Sequence, residues 1–436
     1  MSFPTGWSYR CNLTIDADQV SGSANLTNFP VLLTEVNFPS TIFDNTQTTG
    51  ADLRFTSDEA GTTELAFEIV NWDTTNDKAE VWVKIPTVDY DDDTTFYVWY
   101  GNATAEAYGR TATYGSDNVW TNYQGVWHLN GNWNDSSANQ YDLTPTNNPP
   151  FDTAKISKGV DNEKDSSHYA SISKANSPNL EISGSQVWDV WVKPESVYNY
   201  GHPICKYAGG TLKRIYSSTS DTCFQLGGAV YGATLSSGSW TKIKGIYDKE
   251  LGKLKLFLNT TKNDANYSDS VNDTNSALWV GCQSGPSNHF DGLYDEIRIY
   301  NGSQTDGWAI TEYANQNSPA TFVVEGTEED VGGTSVTITP DALTATSVIN
   351  DVTISTVRNI TTQLSEQTLT SSQPTPTVIS DSNTTVTLEE LTLTASQPAC
   401  TVYPPTSTVS SVIFIANREK IAIKLSSNGK VYWELD

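Results

Sequence analysis

The sequence is short of positive charge, of histidine and methionine, and of cysteine. It holds 25 Lys+Arg against 51 Asp+Glu, a formal net charge of -26, with 5 Cys, 4 His and 1 Met in 436 residues. Nucleic acid is thereby disfavoured as a partner, because its affinity rests on Lys and Arg neutralising phosphates. An anionic membrane surface is disfavoured for the same reason. No apolar run approaches the ~18 residues that a membrane-crossing helix needs. The opening MSFPTGWSYR has neither the basic nor the apolar segment of a secretion signal, so none is expected. Cys11, Cys205, Cys223, Cys282 and Cys400 are widely spaced with no CxxC pair, so they are expected as free thiols filling cores. Four scattered His do not suggest a zinc site.

What is abundant is Thr, Ser, Asn and Gly, together with 13 Trp and 21 Tyr. That mixture predicts an all-β protein with polar turns and aromatic strands. At about 100–200 residues per domain the length suggests two to four domains. Composition divides the chain into 1–115, an aromatic strand-patterned domain; 116–326, a similar domain with more Gly-bounded turns; 327–410, a Ser/Thr-rich arm; and 411–436, an apolar terminal segment. The acidic, Gly-rich stretch 325–333 (EGTEEDVGG) suits a linker between the second domain and the arm.

Local patterns support this division. The runs at 79–85 (AEVWVKI) and 95–100 (TFYVWY) are β-branched and aromatic, and bounded by turn residues. Residues 240–247 alternate apolar and polar and are followed, after a loop ending in Gly252, by LKLFL at 254–258, which predicts a hairpin. Residues 307–317 fit either a short helix or an irregular arm. In the third zone, 32 of the 80 residues from 331 to 410 are Ser or Thr. There LTSSQPTPTV at 369–378 returns as LTASQPACTV at 393–402, a period of 24, with a weaker copy at 343–352. Periods of this length usually mean stacked or arrayed units, but one unit has too few apolar residues for a core; a disordered linker competes with an extended β segment that pairs with other chains or a surface, and the recurring Val, Ile and Leu favour the extended β arm. At the end, KIAIKL (420–425) and KVYWEL (430–435) flank Asn428-Gly429, a strong hairpin signal. One hairpin is marginal alone, so its Ile421, Ile423 and Leu425 face is expected to dock on something, as an anchor or oligomerisation unit.

Four motifs in order over residues 121–326 carry a resemblance: GVWHLN (125–130) with NDSSAN (134–139), VWDVWVKP (187–194), GIYD (245–248) with LKLFLN (254–259), and FDGLYDEIRIY (290–300). This region resembles the laminin G-like branch of the concanavalin A-like lectin/glucanase superfamily, which implies a jelly-roll sandwich of two antiparallel sheets. Residues 6–105 resemble an uncharacterised β-sandwich domain found ahead of laminin G-like modules in surface proteins. GWSYR (6–10), NFPVLL (28–33), ADLRF (51–55), LAFEI (65–69), VWVKIP (81–86) and YVWYG (97–101) carry that resemblance. The arm is similar to short repeats of phage structural proteins.

The lectin resemblance implies calcium between the opening loop and the closing strand, where Asp135, Asn139 and Asp295 stand; oxygen donors of this kind suit that ion. The alternative is that Asp135 and Asn139 shape a turn and that Glu296 pairs with Arg298. Sugar binding needs aromatic platforms with a few polar groups, and Trp133, Tyr141, Tyr207, His289 and Phe290 are the candidates near sheet ends. Trp127, Trp188, Trp191 and Trp240 are expected in the core. No paired-carboxylate strand of the glycosidase type and no nucleophile elbow is present, so an enzyme is not expected. The function expected is that of a non-catalytic virion surface protein (decoration, fibre or tail-associated). It would adhere to cell-surface glycans and be attached, or oligomerised as a homo-oligomer such as a trimer, through residues 331–436. A bacterial or archaeal cell-surface adhesin and a ligand-free capsid component are the alternatives.

Overall fold

The computed structural model describes residues 3–331, apart from 209–210, 270 and 272–275, and beyond 331 only nine short strands between 361 and 435. Its contacts divide into two compact units, Met1–Glu329 and Asp330–Asp436.

The first unit holds two β-sandwiches. In the first, a three-stranded sheet (Leu26–Thr34, Lys78–Val88, Phe67–Asp73) faces a four-stranded one ordered Val323–Asp330, Tyr9–Ile15, Thr94–Tyr100, Arg54–Thr56. Alternation explains the core: Leu13, Val31, Val81, Val83, Phe96 and Val98 are fully buried between the sheets. The stretch expected as a linker is therefore corrected. Residues 323–330 are an edge strand of the first sandwich, more than 200 residues downstream in sequence. Phe322 and Val323 sit in that core, and Glu328 takes a hydrogen bond from Tyr100.

The second sandwich has an eight-stranded and a seven-stranded sheet. The first runs Thr261–Asn266, Lys253–Leu258, Thr241–Asp248, Gln186–Pro194, Gly292–Asn301, Lys158–Asn162, Phe151–Thr153, with Tyr123–Trp127 also on Gly292–Asn301. The second runs Gly228–Gly232, Thr222–Leu226, Thr211–Ser217, Gly201–Ala208, Leu278–Val280, Tyr169–Ile172, Thr144–Thr146. Trp127, Trp188, Val190, Ile243, Leu256, Ile204, Ile215, Phe224 and Val280 fill the space between them. The sheets approach so closely that a methyl on Gly245 would lie 2.2 Å from the Phe224 ring. The hairpin expected from 240 to 258 forms, with Asp248 opposite Lys253 and Gly252 turning at φ +60. Of the four tryptophans expected inside, Trp240 is only half-buried and precedes its strand. Cys11, Cys205, Cys223 and Cys282 are buried free thiols; Cys400 lies outside the described residues.

A helix, Asp306–Asn317, starts on Thr305, whose side chain accepts from Trp308 N–H. It contacts both sandwiches. The Asn315 amide pairs with both backbone groups of Leu32 at 2.7 and 3.0 Å, as a neighbouring strand would. On the other side Gln316 accepts from Trp191 Nε1 at 2.6 Å and from Lys242 Nζ at 2.8 Å.

In the second unit the pairing follows the sequence period. Thr361–Leu364 pairs in parallel with Thr385–Leu388, Gln367–Thr368 with Leu391–Thr392, and Val378–Ile379 with Val402–Tyr403, each at an offset of 24 residues. Parallel strands need long returns rather than tight turns, and the three ladders share the 24-residue offset of the sequence repeat. Val412–Ala416, Glu419–Leu425 and Val431–Leu435 form an antiparallel sheet, with Leu425 opposite Val431. The Asn428-Gly429 turn, the side chains of the hairpin and the copy at 343–352 lie outside the described residues.

If residues 319–330 belong to the first sandwich, Phe322→Ala should lower the stability of the first unit by about 3–5 kcal/mol, the usual cost of emptying a buried Phe site. A thermal melt of the purified variant measures it; an unchanged melt would return this segment to the role of a linker.

Candidate functional site

The outer faces of the two sheets of the second sandwich differ in what covers them. On the eight-stranded sheet, alternate residues of three strands turn Asp189, Trp191, Lys242, Lys244, Glu296 and Arg298 away from the sandwich core, yet all six are buried. The helix and the first sandwich cover them. Arg298 lies between the rings of Trp82 and Trp120, 4.2 and 4.8 Å from their centroids, and pairs with Glu296 and, at 3.0 Å, with Glu312 of the helix. Lys242 and Lys244 bridge Asp189 at 2.8 and 3.0 Å and also face Glu312. His128 contacts Glu296 at 2.7 Å and reaches Glu68 of the first sandwich at 3.3 Å. Glu80 completes the cluster, 3.5 Å from His128 and hydrogen-bonded by Asn130 and Trp82.

Burial and the neighbouring Glu296 push the Glu80 carboxyl up to about 8. Burial opposes charge on Glu296 too, but His128 and Arg298 hold it down to about 2. Burial likewise disfavours the His128 cation, and Glu296 and Glu68 overcome it, so His128 stays well above its ordinary value. Beside Glu80, four acids, Glu68, Glu296, Glu312 and Asp189, face four bases, His128, Arg298, Lys242 and Lys244; burial raises Asp189 and lowers Lys242. Such a cluster matches acids with bases, is closed to solvent and is suited to holding domains together.

The seven-stranded sheet carries a different set. One cross-strand row reads Ser171, Trp279, Cys205, Arg214, Gln225, Ala229 across five ladders. The next row holds Tyr216, Cys223 and Tyr231. Tyr231 and Tyr200 are 54% and 48% exposed, and Trp279, Tyr169, Tyr207, Arg214 and Gln225 are half-buried. Trp279 and Tyr169 meet at 5.4 Å. Tyr200, at φ +68, sets its ring 5.3 Å from Tyr216; a bulky residue in that left-handed region is an outlier more common at functional positions. Arg214 lies 4.6 Å from the Tyr216 ring centroid, donates from Nε to Gln225 Oε1 at 3.0 Å, and faces His202 Nε2 through Nη1 at 3.1 Å. Burial and the Arg214 charge hold His202 down to about 3, so it is the neutral acceptor of that bond. Aromatic rings and a few oriented polar groups on one open face are what a sugar-binding surface requires.

Most of the residues singled out from the sequence lie elsewhere. Trp133, Tyr141 and Phe290 are packed into the sandwich core, so their ring faces are spent on packing, and His289 is 8% exposed with Nδ1 on the His168 carbonyl. Only Tyr207 of the five keeps an accessible position, in the Gly201–Ala208 strand. Most oxygens of Asp135, Asn139 and Asp295 are engaged by protein groups. Asp135 accepts four hydrogen bonds, from the amides of Val126, Ser137 and Tyr141 and from the Ser137 hydroxyl. Asn139 is engaged by Gln124 and Asn179. Asp295 accepts from Ile156 N–H, and its Oδ1 has no hydrogen-bond partner. Burial, with Glu296 beside it, raises Asp295 well above its ordinary value. The alternative reading of a turn and a Glu296–Arg298 pair describes these residues. At the rim, Asp161, Glu163 and Glu195 bring carboxylate oxygens within 4.8 Å of one another.

Residues 164–310 match the family described as the concanavalin A-like lectin/glucanases superfamily, and residues 49–123 match a domain of unknown function. The lectin/glucanase match falls on the second sandwich and the match to the uncharacterised domain precedes it, the order the motifs imply. No curated protein matches the chain. Among solved structures the chain is similar to domain 4 of AbnA, a GH43 extracellular arabinanase from Geobacillus stearothermophilus, in complex with arabinotriose (19% identity, 44% of this chain and 98% of that one covered, TM-score 0.37). It is also similar to the botulinum neurotoxin serotype G binding domain (13%, 45% and 52%, 0.36) and to the serotype D ligand binding domain in complex with N-acetylneuraminic acid (11%, 45% and 51%, 0.36). The chain spans about half the length of these two neurotoxin domains.

The buried cluster fixes a pH dependence. Glu80 is raised in the folded state, so its stabilisation is complete below the unfolded value near 4.5 and is lost as pH rises to about 8. Glu296 is depressed, so its stabilisation is present above 4.5 and lost as pH falls towards 2. Glu80→Gln keeps a neutral side chain of the same shape. The melting temperature of the native chain should fall by several degrees between pH 5 and pH 8.5, and that of the variant should change much less. Parallel slopes would show that Glu80 is not the group responsible.

Proposed function

We propose that this is a non-catalytic glycan-binding protein whose sugar-binding surface is the outer face of the seven-stranded sheet. The observation that carries this is the row of half-buried Trp279, Arg214 and Gln225, with buried Cys205 between Trp279 and Arg214, flanked by exposed Tyr231 and Tyr200 on the outer face of the seven-stranded sheet. Glycan binding by apolar ring faces plus hydrogen bonds needs no bound ion and no titrating pair. The carboxylates nearest to glycosidase chemistry, Glu80 and Glu296, are sealed between the sandwiches, out of reach of a polysaccharide, which supports a binding rather than a hydrolytic role.

A glycan array followed by calorimetry on the best hit tests this. Trp279→Ala should weaken that hit about tenfold or more, equivalent to ~1.4 kcal/mol, and leave the melt unchanged, because Trp279 is outside the sandwich core. Absence of any glycan hit would favour a ligand-free structural role.

We infer further that the arm attaches or assembles the protein on a particle, with a virion surface as the first choice and a cell surface as the second. Stacking at the sequence's own 24-residue period supports it. Two coils bury little, and repeat arrays generally need at least three units or caps for stability, so further coils from other copies would complete the stack. Light scattering should find the full chain oligomeric and residues 1–331 monomeric. If both are monomers, the arm is a spacer.

A further inference from the structure

The arginines of the first unit differ in how their charge is met. Arg10 pairs with Glu59 and Glu329, Arg110 with Asp117, and Arg298 with Glu296 and Glu312. Arg54 has no carboxylate, but its guanidinium donates to the carbonyls of Ala51, Leu53 and Glu106. Arg214 has neither arrangement. Among the described residues no carboxylate pairs with it, and its only hydrogen bonds are those to Gln225 and His202. Asp221, at the turn between the two strands that hold Arg214 and Gln225, accepts from Ser218 and Ser220 instead. A half-buried guanidinium stacked on a tyrosine, steered by a glutamine and a neutral histidine, keeps Nη2 and the second Nη1 proton for an outside partner.

Resting on the sugar-binding role proposed for this face, we infer that its ligand is an acidic glycan and that Arg214 takes the sugar's carboxylate. A guanidinium presents two parallel N–H groups in a plane, the geometry of a carboxylate's two oxygens. Tyr216 holds the plane of Arg214 by stacking, and Gln225 holds it by accepting from Nε. Trp279, Tyr231 and Tyr200 supply ring faces on either side for the apolar faces of the sugar rings. The overall charge of -26 opposes an anion. That repulsion is screened beyond about 8 Å at physiological ionic strength, whereas a charge-assisted pair at hydrogen-bond distance is not, so the local contact decides.

The test uses the full chain and pairs of sugars that differ in the carboxylate: trigalacturonate against its methyl ester, and sialyllactose against lactose. In at least one pair the acid should bind tenfold or more tighter. Arg214→Gln should erase that difference and keep the weaker, ester-like binding, with an unchanged melt. Arg214→Lys, which keeps the charge and loses the fork, should recover only part of it. Equal binding of acid and neutral members would overturn the carboxylate assignment and leave the sugar-binding face standing. Tighter binding of a sulfated oligosaccharide than of either acid would overturn it too, in favour of a tetrahedral anion. If no member binds and Trp279→Ala changes nothing, both the inference and the sugar-binding role fail.

Discussion

Arg298 is the residue on which the arrangement of the first unit turns. A guanidinium that is 1% exposed would cost several kcal/mol without compensation. Its compensation comes from four places in the sequence: Glu296 on its own strand, Glu312 on the helix, Trp82 in the first sandwich, and Trp120 in the segment between the sandwiches. None of these elements can move away without leaving a buried charge unpaired. The same logic extends through Glu312 to Lys242, Lys244 and Asp189, and through Glu296 to His128, Glu68 and Glu80. Apolar packing, with Leu32, Val126 and Ile156 between the sandwiches, would allow several neighbouring registers; paired charges allow far fewer.

That constraint decides which part of the lectin-type domain is open. Its eight-stranded sheet is committed to the first sandwich and the helix, and the strand after the helix returns to the first sandwich, so the two domains are threaded through one another. The seven-stranded sheet is left to present side chains outward. Its outer face differs in kind from the covered one: rings, amides and one guanidinium without a carboxylate partner, against a closed set of ion pairs. One face is electrically complete and the other is not, and a ligand adds more to the incomplete one.

Much of this was legible in the sequence, and the limits have physical causes. Strand alternation identified both sandwiches and the hairpin from 240 to 258, and the 24-residue repeat anticipated the spacing of the parallel ladders. What alternation cannot tell is whether the outward face of a strand meets water or protein. Lys242-Ile243-Lys244 reads as an ordinary solvated edge, and only the presence of Trp191 beside Asp189 on the same face hints at a cover. For the same reason Trp133, Tyr141 and Phe290 read as rim aromatics although they pack in the sandwich core. The strand at 323–330 was hidden by its composition. Four carboxylates and a glycine in an edge position satisfy a ladder through backbone groups alone, so the hydrophobic signal of a strand is weak.

The placement of acids and cations also bears on what this chain can do. Hydrolysis of a glycosidic bond requires two carboxyl groups on either side of a bound sugar, with opposed protonation states. Glu80 and Glu296 have the opposed states, one raised and one depressed, but they face each other across an interface that excludes any substrate. Their difference serves a structural end: it lets five acids and four bases share a small dry volume. On the open sheet the half-buried rings and Arg214 lie among buried thiols, with Cys205 pushed up to about 12 and Cys223 to about 11 by burial, so these thiols are inert at neutral pH. A surface with rings, an amide and a fixed cation carries the groups that hold a sugar.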